Sequence, residues 1–216
     1  MSSEDELKHK PALVGEVDTA LPQVLILGDS ISMGYTPVVA VQLAGHANVY
    51  RPSTNCGSSQ VYREHIQEWL GGRRWDLIHF NCGLHDTNRK NNAAFNREGE
   101  RRVTLEEYAQ NLSVLVGTIK NAASVVLWAS STPVPVEAEG RVPADMLLYN
   151  QVAQKIMDEA GVETNDLYSF IFPYTPECHP ALNNVHYTNE GYKLLGVQVA
   201  NEIRNHLKTT GGNEFT

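Results

Sequence analysis

The chain has 216 residues, 42% of them hydrophobic and 19% charged, with a formal net charge of −8. That length suits one α/β domain with a sizeable core, and the acidic balance argues against nucleic acid as a partner. No repeat or low-complexity tract is present, which excludes solenoids and long disordered tails.

Residues 1–20 read as an N-terminal extension, 21–209 as the domain and 210–216 as a C-terminal tail. The first 22 residues contain no apolar stretch of the secretory type, so no signal peptide is expected. A cytoplasmic protein and a trimmed periplasmic or secreted form both fit. No run approaches the roughly 18 apolar residues of a membrane span.

Val24 to Leu27 is a short apolar run ending at Gly28, the pattern of a buried strand. A helix is expected next, through Pro37 to Leu43, with the proline in its first turn. Asn48 to Tyr50 is a weak second strand. Val61 to Leu70 reads as a helix stopped by Gly71-Gly72. Trp75 to Asn81 forms the third strand, and a long polar loop runs from Cys82 to about Val103. Thr104 with Glu107 is a capping box for a helix reaching about Asn121. Ser124 to Ala129 is the fourth strand. A loop holding Pro133, Pro135 and Pro143 leads to a helix from about Asp145 to Ala160, ended by Gly161. The fifth strand lies within 162–168, and the last helix runs from about Thr188 to Leu207.

Alternating short apolar strands and helices imply a parallel sheet covered on both faces. The expected fold is a three-layer α/β/α sandwich around one five-stranded parallel sheet, flavodoxin-like in outline. Ligands in such folds bind beyond the carboxyl ends of the strands. That rule gathers Asp29-Ser30, Asn55 to Gly57 and Gly83 to Asp86 at one rim.

Ser30 sits in Gly28-Asp29-Ser30-Ile31-Ser32, between a strand and a helix. There its hydroxyl can project into the crevice and its own N–H can face an oxyanion. Taken singly, a helix-capping or turn serine is the better reading. The GxSxG elbow is absent, because Met33 follows Ser32. His186 precedes the last helix and is free to act as a general base near neutral pH; as one of eight histidines, it is by itself more readily a surface or capping residue. Gly57 can offer a backbone N–H to an anionic oxygen or simply make a tight turn. His85 can donate a side-chain hydrogen bond to the same oxygen, or pair with Asp86.

Together these segments resemble the SGNH (GDSL-type) hydrolases, from about Leu21 to Leu207. ILGDSIS matches the family's first block, Gly57 its oxyanion glycine, GLHD its GxND block imperfectly, and NNVHYTNEGY its DxxH block imperfectly. HFNCGLHD further resembles a bacterial subgroup associated with polysaccharide degradation. The resemblance implies a serine esterase with Ser30 as nucleophile and His186 as base. Its oxyanion donors would be the Ser30 and Gly57 N–H groups and the His85 side chain, with His85 expected to be neutral. No metal or other cofactor is implied. The implied substrate is an O-acetylated sugar or oligosaccharide. Asp29, Asn55, Asp86 and Arg89 are the expected substrate contacts.

Two positions depart from that family. His85 replaces an asparagine, and Asn183 stands where the triad aspartate would be. Asparagine can accept a hydrogen bond but cannot offset an imidazolium charge; in a serine protease the equivalent change costs about 10⁴ in turnover. Three accounts follow: a Ser–His dyad steadied by a carbonyl, a substitute acid such as Glu177 or Asp166, or a glycan-binding module without activity. A thioesterase or lysophospholipase acting on longer acyl chains is the rival within enzymes. Seven of the 17 basic residues lie between positions 73 and 102. They form either a solvated loop or a patch that steers an anionic substrate. The three cysteines, Cys56, Cys82 and Cys178, form no CxxC pair, so neither a disulfide framework nor a structural zinc site is expected.

Overall fold

A computed structural model describes residues 9–15, 17–91 and 94–210; residues 1–8 of the expected N-terminal extension and 211–216 of the expected tail lie outside the described residues. The strands of the main sheet are β1 (Pro11–Leu13), β2 (Gln23–Leu27), β3 (Asn48–Pro52), β4 (Trp75–Phe80), β8 (Ala123–Ala129) and β9 (Glu163–Asn165). The helices are α1 (Ser30–Gln42), α2 (Ser59–Leu70), α3 (Leu105–Ala122), α4 (Pro143–Ala160), α5 (Leu167–Ile171) and α6 (Asn189–Thr210). Val24, Leu25, Ile26 and Leu27 are completely buried, because β2 lies inside the sheet and is covered on both faces.

The sheet order is β1-β3-β2-β4-β8-β9. This corrects the expected single, five-stranded, all-parallel, flavodoxin-like sheet. Residues 11–13, assigned to the extension, add a sixth strand that runs antiparallel to β3, with Ala12 opposite Arg51. A second sheet lies within the polar loop, in the order β6-β5-β7: β5 (Arg89–Asn91), β6 (Ala94–Phe95) and β7 (Glu100–Arg101) are all antiparallel. The protein is therefore an α/β sandwich with two sheets, of six and three strands. A strand of two or three residues is too short to show an alternation, so neither addition was visible as a pattern.

The small sheet places Arg89 directly opposite Arg101, a like-charge pair that would repel. Asp145, in the first turn of α4, resolves this by accepting from Arg89 Nε at 2.6 Å and from Arg101 at 2.7 Å. The two guanidinium groups hold its carboxyl below the usual range, against the effect of burial. Arg89 N–H also donates to Gly140 O at 2.7 Å. The sheet is thus tied both to α4 and to the loop before it.

α1 crosses α6 closely. A Cβ on Gly34 would lie 2.1 Å from the Tyr192 ring, and one on Gly196 would lie 2.5 Å from Val38 Cβ. Both positions need glycine for the helices to approach. Below them, His79 of β4 is fully buried and accepts from Asn165 Nδ2 at 3.3 Å. Burial holds its pKa down to about 3.

A histidine depressed in this way contributes stability above its unfolded pKa of about 6.5, and that contribution drains as pH falls toward about 3. At pH 4.5 the loss amounts to about 2–3 kcal/mol. His79→Gln keeps an acceptor for Asn165 and cannot charge. Urea unfolding at pH 7 and pH 4.5 should show a smaller difference in this variant than in the wild type. An equal difference would assign the acid sensitivity to other groups.

Candidate active site

The crevice opens beyond the carboxyl ends of β2, β3 and β4. The chain leaves β2 for β3 on one side and later returns to β4 on the other, which leaves a gap between the loops at that point. Gly28 ends β2 where no side chain fits: its Cβ would lie 2.0 Å from Asn81 Oδ1. Asp29 follows, almost completely buried, and caps α1 by accepting from Ile31 N–H at 2.9 Å. Its other oxygen meets Asn81 Nδ2 at 3.4 Å. Ser30 is thereby fixed as the first residue of α1. Its N–H has no partner among the described residues.

The structure brings His186 to Ser30 across 156 positions, with Nε2 3.0 Å from the serine Oγ. The other ring nitrogen, Nδ1, lies 2.9 Å from Asn184 Oδ1. That oxygen also accepts the backbone N–H of His186 at 3.0 Å. A backbone N–H can only donate, so the atom facing it is the amide oxygen and not the NH₂. The proton of the neutral ring then sits on Nδ1, and Nε2 presents its lone pair to Ser30. This is the tautomer a general base requires.

The loop that carries His186 is braced from behind. His179 Nδ1–H donates to His186 O at 2.9 Å, and its ring packs on Tyr187 at 4.5 Å. Thr188 N–H donates to Cys178 O at 2.7 Å. The acceptor at His186 is therefore Asn184 and not Asn183, which is exposed. Asp166 is engaged elsewhere: its Oδ1 accepts from Ser130 Oγ at 2.8 Å and caps α5 through Ser169 N–H at 3.2 Å.

His85 is close enough to Asp29, His186, Arg102 and Arg141 to feel their charges. Burial, ahead of those charges, lowers its pKa, which leaves a neutral imidazole with one N–H to give at neutral pH. Its side chain has no hydrogen-bond partner among the described residues. Gly57 adopts a left-handed conformation, φ +66°, but its N–H donates to Asn55 Oδ1 at 2.9 Å. Both residues are thus occupied with each other.

Asp86 is buried away from the crevice. It accepts from Ser59 N–H at 2.9 Å and from Ser59 Oγ at 2.5 Å, tying the loop after β4 to the start of α2. Arg89 is held by Asp145, as described above. The basic stretch does not form one patch. Arg73 stacks on Trp75 at 3.7 Å, and Arg74 donates to Ala123 O at 3.2 Å; both lie at the opposite end of the sheet. Arg97 donates to Arg141 O at 2.9 Å.

A crevice of about 450 Å³ adjoins His186, with Asn88, Phe95, Glu139, Arg141 and Asn183 among its lining. Sequence reading missed Asn184, Asn81, Arg141 and Asp145. Only Asn184 carried a usable signal, as a second carbonyl acceptor beside the histidine. Among the described residues, no helix is long and apolar enough to cross a membrane.

No known family profile matches the chain, and no curated protein matches it in sequence. Solved structures do match in shape. An acetylxylan esterase from Geobacillus stearothermophilus superposes with a TM-score of 0.71 at 19% identity, over 84% of this chain and 94% of that one. A lipase/acylhydrolase from Enterococcus faecalis gives 0.71 at 18% identity, over 86% and 96%. An α/β hydrolase from the metagenome of Lake Arreo, Spain, gives 0.70 at 16% identity, over 86% and 96%. The chain has the fold shared by these carbohydrate esterases and lipases.

Proposed function

We propose that the protein is a serine ester hydrolase of the SGNH class that removes O-acetyl groups from carbohydrate. The observation that carries this reading is the chain Asn184 Oδ1···His186···Ser30 Oγ, with contacts of 2.9 and 3.0 Å. Ser30 Oγ attacks the ester carbonyl carbon while His186 Nε2 takes its proton. The oxyanion forms against the free Ser30 N–H and the neutral His85 N–H. Gly57 N–H joins them only when the Asn55 carboxamide turns away, so two donors serve in the arrangement described. Collapse expels the sugar oxygen, which takes the proton from His186. A water then attacks the acetyl-enzyme with His186 again as base, releasing acetate and restoring Ser30.

Acetylxylan esterases among the structural matches support a carbohydrate ester as substrate. The GLHD string supports the bacterial subgroup associated with polysaccharides. The crevice supports a short acyl group, because asparagine, arginine and glutamate residues interrupt the apolar surface of Phe95, Ala138 and Val185, where a long acyl chain would require a continuous apolar wall. Rates on p-nitrophenyl acetate and p-nitrophenyl palmitate, together with fluorophosphonate labelling, test the reading. Acetate preference with labelling lost in Ser30→Ala is the expected result. Palmitate preference would move the protein to the lipase reading, and absence of labelling in the wild type would leave a glycan-binding module.

A further inference from the structure

The three-stranded sheet makes no hydrogen bond to Ser30 or His186 among the described residues, yet it is anchored at several points. Arg89 and Arg101 hold Asp145. Arg89 N–H reaches Gly140 O, and Arg97 Nε reaches Arg141 O. The effect is to hold Phe95 at the mouth of the crevice that contains His186. Phe95 is 53% exposed, an unfavourable state for a large apolar ring unless something covers it. One edge of the ring rests on Gly140, where a Cβ would lie 2.8 Å from Phe95 Cδ1, so the missing side chain fixes the ring's position and the rest of it stays open. Lys90 Nζ, opposite it in register, sits 5.0 Å from the ring centroid.

Ala138 and Val185 add apolar surface to the wall, and three of its polar side chains are unused. The carboxamides of Asn88 and Asn183 and the carboxylate of Glu139 line the same crevice and make no hydrogen bond to any described residue. A pyranose ring has one face of C–H groups and a rim of hydroxyls. The C–H face suits the electron-rich face of an aromatic ring, and the hydroxyls suit amide and carboxylate partners. A fatty acyl chain would leave the amides unpaired, and a polyanion would meet Glu139.

We infer that β5, β6 and β7 build a glycosyl-binding subsite, with Phe95 as the platform on which a neutral sugar unit of the substrate stacks beside the reacting ester. The inference rests on the esterase reading above and adds the determinant of its preference for an oligosaccharide over a small ester.

The test compares a partly acetylated xylo-oligosaccharide with p-nitrophenyl acetate. In Phe95→Ala, the ratio of kcat/KM for the oligosaccharide to that for the small ester should fall about tenfold, mainly through KM. Phe95→Tyr keeps the ring and should restore the ratio. An unchanged ratio overturns the proposal, including the case in which both rates fall together because the loop has lost its shape. A second arm needs no turnover. Ser30→Ala protein should bind the oligosaccharide by calorimetry, and the added Phe95→Ala change should weaken that binding by a similar factor. If the wild type hydrolyses no ester, the esterase reading falls and this arm alone decides the subsite. Equal binding by the two variants overturns it.

Discussion

Replacing Ser30 with alanine should lower ester hydrolysis by roughly four to six orders of magnitude while leaving the fold intact. The size follows from the unit that is broken. In serine hydrolases, loss of the nucleophile costs about as much as loss of the whole triad, and the remaining rate comes from the oxyanion hole and substrate binding. The fold should survive because, among the described residues, the Ser30 hydroxyl bonds only to His186. The α1 cap belongs to Asp29, and the tight turn to Gly28 against Asn81. The check is kcat on p-nitrophenyl acetate beside a thermal melt of the same sample. Retention of more than about a tenth of the activity in a folded variant would transfer the nucleophile's role to another group.

Asn184→Ala should lower kcat about 100-fold, with KM nearly unchanged, whereas Asn183→Ala should stay within about tenfold of the wild type. The asymmetry comes from geometry. Asn184 Oδ1 meets both His186 Nδ1 and the His186 N–H, so its removal frees the ring to take either tautomer and to rotate. Asn183 is exposed and makes no such contact. The known cost of replacing a triad aspartate by asparagine, about 10⁴ in another enzyme, arises because that asparagine stabilises the wrong tautomer. Here the backbone donor holds the amide oxygen inward, so the correct tautomer is kept and only the charge is missing. Asn184→Asp supplies that charge with both acceptor contacts preserved, and should raise kcat by about tenfold or more. Steady-state kinetics on the three variants decides the matter. An Asn183→Ala defect as deep as that of Asn184→Ala would place the acceptor one residue earlier.

How far the site could be read in advance differs from residue to residue. Ser30 and His186 were legible because each follows from a motif at an element boundary, where the fold must bring strand ends together. Asn183 stands in the aspartate's usual place, with a carbonyl or another acid left open as the acceptor; the structure supplies the Asn184 carbonyl, which the sequence could not single out because two adjacent asparagines are chemically alike and only the loop conformation selects between them. Gly57 is open in the sequence between a donor and a tight turn, and in the structure its N–H partner is a side chain two residues away. Asp86 and Arg89 are among the substrate contacts expected from the sequence. Each is consumed by a partner distant in sequence, Ser59 for one and Asp145 for the other.

The sequence by itself determined the interior strands and the helices between them. Runs such as Val24 to Leu27 are apolar throughout and must be buried on both faces, and glycine at 71 and 161 stops the helices before them, each in a left-handed conformation. Tertiary structure alone decided the antiparallel edge strand β1, the three-stranded sheet and the acceptor for His186. The physical reason is the same in each case. Segments of two or three residues have no intrinsic preference strong enough to show as a pattern, and their conformation is set by partners such as β3, Asp145 and the His186 backbone, which only folding brings within reach.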